Sequence, residues 1–162
     1  MRIARALPIA GALAVGAARS AVAQTATQTV TFQVTAINQI SITGAAPTLL
    51  VNSAVAGSAP TSATSAGITW AVTTNQTGAK INASIPSNMP AGLTLSANLG
   101  APAGATSTGA QSLSTTAVDL VTGITKLNSS GLSLTYTLAA TAAAGVVASG
   151  TRVVTLTIYG GT

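Results

Sequence analysis

Apolar and hydroxylated residues alternate one for one over much of this chain. Val30, Phe32, Val34 and Ala36 share one register while Thr29, Thr31, Gln33 and Thr35 share the other. A two-residue period sends side chains to opposite faces of a β-strand. The even register continues through Ile40 and Ile42, with Asn38 as its one polar interruption, so the strand either bends there or carries a bulge or turn at Asn38-Gln39. Toward the other end, Val154, Leu156 and Ile158 alternate with Thr155, Thr157 and Tyr159.

Further runs of this type centre on Thr48–Val51, Ile68–Thr73, Ile81–Ile85, Leu93–Leu99 and Leu132–Leu138. Val118–Ile124 is a less regular run around Asp119. The sequence thus predicts about eight or nine strands. Turn residues separate them. Asn75-Gln76-Thr77-Gly78 reads as a hairpin turn between the Trp70 and Ile81 strands, and Pro86–Gly92 links Ile85 to Leu93. Asn128-Ser129-Ser130-Gly131 reads as a turn before Leu132. Ser53–Gly67 and Gly100–Gln111 are rich in Ala, Ser, Thr, Gly and Pro and read as long loops.

No helical period follows the first 23 residues. The apolar face of one sheet must therefore bury against another sheet. The expected fold is all-β, an antiparallel β-sandwich of Ig-like or jelly-roll type. Its interior is mostly Ile, Leu, Val and Ala, and Trp70 falls in the buried register of its strand. Consecutive strands pair by default, so Gln24–Ile42 is expected as an internal strand with Val30, Phe32 and Val34 in the core.

Chemistry is scarce. The chain has no histidine, no cysteine and one acidic residue, Asp119. A carboxylate pair for acid–base work, a histidine-based triad, and the clustered carboxylates, imidazoles or thiolates of a metal site are all missing. The reading is a non-enzyme, with no catalytic, cofactor-binding or metal residues and no cofactor. Lys80 and Lys126 serve a Ser–Lys mechanism only formally, since no serine lies in a nucleophile motif. A Lys–Asn isopeptide bond assisted by Asp119 has its residue types here, but Lys80 lies in the polar register of its strand. Asn75, Asn82 and Asn128 each begin an N-glycosylation sequon.

Residues 1–23 have the pattern of a signal peptide: Arg2 and Arg5, an apolar run from Leu7 to Ala18, then Ala21-Val22-Ala23 before a cut at Gln24. Residues 24–162 are read as a single β-sandwich domain, secreted or at the cell surface, periplasmic or extracellular. After the cut Lys80, Lys126 and Arg152 stand against Asp119, too few and too scattered for a nucleic-acid footprint. No apolar run in this remainder is long enough for a transmembrane segment.

An exported, Thr-rich domain that begins and ends in alternating strands resembles the pilin-like and spore-coat-like subunits of microbial surfaces. The resemblance lies in architecture and composition over most of residues 24–162, without a signature motif. It implies that Gln24–Ile42, with Val30, Phe32, Val34 and Ala36 as plugs, serves as a strand donated to a neighbouring copy. It also implies that Thr151–Tyr159 closes the domain. The expected function is a structural or adhesive surface protein, a self-associating filament or coat subunit. The alternative is a secreted binding module that presents Ser53–Gly67 and Gly100–Gln111 to a glycan or protein. Expected partners are copies of itself or other surface proteins, or a glycan.

Overall fold

The structure, a computed structural model, describes residues 22–162. The chain divides into two units, Met1–Gln33 and Val34–Thr162. The signal-peptide reading therefore falls almost wholly outside the described residues. Residues 22–33 belong to no strand or helix, and their side chains are exposed.

The second unit is built from antiparallel strands. They are β1 (Asn38–Thr43), β2 (Ala63–Thr64), β3 (Thr69–Thr74), β4 (Ala79–Ser84), β5 (Leu93–Leu99), β6 (Thr106–Ser107), β7 (Gln111–Ser112), β8 (Val118–Ile124), β9 (Leu127–Ala140) and β10 (Thr155–Tyr159). One sheet of six strands runs β1-β3-β9-β5-β7, with β2 added beside the far half of β9. The other, of four strands, runs β10-β4-β8-β6. The expected two-sheet, all-β architecture is what forms.

Alternation explains the packing. In β4 Ala79, Ile81 and Ala83 are fully buried, while Lys80, Asn82 and Ser84 face outward and are half-buried. The six-stranded sheet meets them with Trp70, Val72, Leu99 and Leu134, and β8 adds Leu120, Val121 and Ile124. Trp70 is 1% exposed, and its indole N–H donates to Gly100 O at 3.2 Å. Burying that ring therefore leaves no orphaned donor.

The departures from the expected strands have local causes. Asn75–Gly78 is not a hairpin turn, because β3 and β4 belong to different sheets. It carries the chain across the sandwich instead. Asn128–Gly131 lies inside β9. The register slips there from Val72↔Ser129 to Trp70↔Leu132, and Gly131, at φ +68°, takes the left-handed conformation of that bulge. Strand β8 looks irregular for the same reason: its pairing with β4 shifts twice, placing adjacent Leu120 and Val121 both inside. Thr48–Val51 is not a strand. Of the two expected long loops, Ser53–Gly67 contains β2, and Gly100–Gln111 contains β6, which pairs with β8, and the first residue of β7, which pairs with β5.

The largest correction concerns the first alternating run. Pairing begins only at Asn38, and Val30, Phe32 and Val34 are 74%, 90% and 79% exposed. They are not core residues. The alternation is a true strand pattern, but this domain has no place in either sheet where the segment is paired.

The exposures set a direct test. Leu120→Ala removes a fully buried side chain and is expected to cost about 2–5 kcal/mol by urea denaturation, out of a total of ~5–15 kcal/mol. Phe32→Ala and Val30→Ala, measured on dilute protein, are expected to change stability by no more than about 0.5 kcal/mol.

Candidate functional site

The four charged residues after position 23 are dispersed, and two of them form a cluster on the outer face of the four-stranded sheet. Lys80 on β4 reaches Asp119 on β8, Nζ to Oδ2 at 3.1 Å. From β10, the Tyr159 hydroxyl donates to the other oxygen, Oδ1, at 2.5 Å. The register makes this possible, since Tyr159 is opposite Lys80 and Asp119 is opposite Asn82. Three neighbouring strands are thereby linked through one carboxylate.

The electrostatics follow from these contacts. The Tyr159 hydroxyl hydrogen bond holds the Asp119 carboxyl below its usual range; burial opposes it, and the Lys80 hydrogen bond and charge add smaller effects in the same direction as Tyr159. Lys80 is raised, first by its hydrogen bond to Asp119 and then by the same carboxylate's charge. Tyr159 is raised chiefly because its proton is shared with Asp119. Both side chains of the ion pair remain open to water, Lys80 at 45% and Asp119 at 32% exposure. The cluster is a solvent-screened strand tie. Lys80 lies against Asp119 rather than an asparagine in an apolar core, and Lys126 is exposed, so neither is set for an isopeptide bond.

A second constellation, which sequence reading missed, sits where the chain enters β1. Asn75 accepts a hydrogen bond from Ile37 N–H at 2.8 Å and donates from Nδ2 to Thr35 O at 2.7 Å. Its own N–H donates to Ile37 O at 3.2 Å. Next to it the buried Thr74 hydroxyl donates to Asn38 Oδ1 at 2.6 Å. The polar interruption at Asn38 thus serves to satisfy Thr74. Hydrogen bonding anchors the chain from Thr35 onward, just after the exposed Val30, Phe32 and Val34. An asparagine directly after a strand was the only sequence signal, and it reads equally well as turn chemistry.

The sheet edges complete the site. β1 and β10 are edge strands of the two sheets and touch each other along one side of the sandwich. Neither carries a charged residue or a proline. Those are common devices for blunting an edge against further pairing. Within them, Ile42 is 47% exposed and Tyr159 38% exposed.

Above the end of β1 the sandwich opens into an apolar cleft of about 550 Å³, lined by Ile42, Leu49, Ile68, Leu95, Tyr136 and Val154, among others. Arg152 lies on its wall, held by backbone oxygens alone: Nη1 donates to Thr151 O at 2.8 Å and Nη2 to Asn88 O at 3.1 Å. Among the described residues no group of three or more carboxylates, imidazoles or thiols comes together. No helix of the described residues is long and apolar enough to cross a membrane. Comparison with protein-family models, curated proteins and solved structures gives no match to this chain.

The Asp119 cluster has a defined pH signature. A lowered carboxyl contributes stability that is present above its unfolded value and is lost as pH falls through its folded one. Raised Lys80 and Tyr159 contribute stability that is lost as pH rises through their folded values. The urea midpoint difference between the natural chain and Asp119→Asn is therefore expected to be largest between about pH 5 and pH 9, and to shrink below about pH 4 and above about pH 10. A difference independent of pH would contradict this assignment.

Proposed function

We propose that this chain is an exported structural or adhesive surface protein whose copies self-associate by strand addition. The observation that carries the reading is the exposed segment Thr29–Ala36. It has the side-chain period of a strand, Val30, Phe32 and Val34 in solvent, and no strand pairing of its own. Such a segment gains main-chain hydrogen bonds and buries three apolar side chains by adding to an open sheet edge. β1 and β10 supply uncharged edges of the kind that accept one. Each copy thus brings one donor and at least one acceptor, a heterologous arrangement that extends into a chain of subunits.

Charge does not oppose this. Residues 22–37 contain no charged side chain, and beyond them only Lys80, Asp119, Lys126 and Arg152 are charged at neutral pH. Repulsion between copies is correspondingly weak. The signal-peptide pattern in residues 1–23 supports export, and the Thr-rich outer registers suit a wet surface without adding charge.

The test is truncation. Removing Gln24–Gln33 is expected to leave a folded domain with an unchanged urea midpoint and to abolish self-association in sedimentation and negative-stain microscopy. A peptide spanning Gln24–Ala36 is expected to bind the truncated domain, and Phe32→Asp in that peptide to weaken binding by about tenfold or more. A truncated domain that unfolds, or one that still polymerises, would overturn the proposal.

A further inference from the structure

The apolar cleft above β1 contains a charge that the chain does not balance. Arg152 is half-buried on the cleft wall, and its Nε is buried with no hydrogen-bond partner among the described residues. Its two terminal nitrogens meet neutral carbonyls only. The single acidic side chain in the whole sequence, Asp119, is already engaged by Lys80 and Tyr159 on the outer face of the four-stranded sheet. No side-chain carboxylate is left to pair with the guanidinium.

An unbalanced, partly desolvated cation is costly. A guanidinium presents planar donors that match a carboxylate. Around it the cleft wall is aliphatic, from Ile42, Leu49, Ile68, Leu95, Leu138 and Val154. Tyr136 also lines the cleft. At about 550 Å³ the space falls in the roughly 300–1,000 Å³ range of small-molecule sites, which combine apolar walls with a few placed polar groups.

We infer that this cleft binds a small amphipathic carboxylate, its head on Arg152 and its aliphatic tail between Ile42, Leu95 and Val154. The charge selects the head: a cation with no internal anion discriminates against neutral and cationic analogues of equal length. The uncharged wall selects the tail. This site is separate from the Thr29–Ala36 segment and does not depend on self-association.

The probes are octanoate, 1-octanol and octylammonium, titrated by calorimetry into the chain and into two variants. Octanoate is expected to bind saturably at one site, about tenfold or more tighter than 1-octanol, with octylammonium weakest. That preference is expected to shrink as salt is added. Arg152→Gln keeps a donor for the Asn88 carbonyl and is expected to lower octanoate affinity about tenfold while leaving 1-octanol within about twofold. Ile42→Gln, at an exposed position on the cleft wall, is expected to weaken both ligands alike. If Arg152→Gln does not fold, the octanoate preference of the unsubstituted chain and the response of Ile42→Gln still decide. No saturable octanoate binding, equal affinity for octanoate and 1-octanol, or occupation of the cleft by the Gln24–Ala36 peptide alone would each overturn the inference.

Discussion

The apolar faces of two sheets in this domain have only each other to bury against. Among the described residues there is no α-helix to cover them, and the chain has no cysteine for a disulfide and almost no charge to tie the surface. Trp70, Leu99 and Leu134 on one side and Ile81, Leu120 and Ile124 on the other therefore carry most of the stability. That dependence explains why small residues are placed as they are. Ala79, Ala83 and Ala97 are fully buried in the same core cluster as Trp70, small residues among the large ones that fill the space between the sheets. It also explains the register shifts of β8, which let adjacent Leu120 and Val121 both face inward.

Strand alternation made the two-sheet fold legible before any coordinates. β3, β4, β5, β8 and β10 lie where their apolar registers indicate. Partnering was not legible, because period two tells which face is buried and not which strand lies beside it. The Asn75–Gly78 turn is the clear case: its residues suit a hairpin and a sheet crossing equally. Asn75 itself is more instructive. Its two side-chain bonds to the segment before β1 are long-range contacts that no local pattern encodes. Alternation at Thr29–Ala36 misled in the opposite direction, since it records that the segment is suited to a sheet and leaves open whose sheet that is.

Charge scarcity links the functional features. With one carboxylate in the chain, Lys80 is the cation it neutralises, and the Tyr159 bond draws the last strand into the same cluster. Arg152 is left beside an apolar cleft with neutral carbonyls for company. Neither outcome is visible from composition, because both depend on which strands the topology sets side by side. The same scarcity leaves the β1 and β10 edges without the charges that normally deter added strands.

The proposed assembly depends on Thr29–Ala36 pairing with the sheet of a neighbouring copy. Amide hydrogen exchange at two protein concentrations measures this most directly. In dilute, monomeric protein the amides of residues 29–34 are expected to exchange at unprotected rates, while those of β3, β4 and β9 are protected. At concentrations where copies associate, protection is expected to appear at residues 29–34 together with the outer edge of β1 or β10. Protection of residues 29–34 in the dilute monomer, or its absence in the assembled protein, would contradict the account.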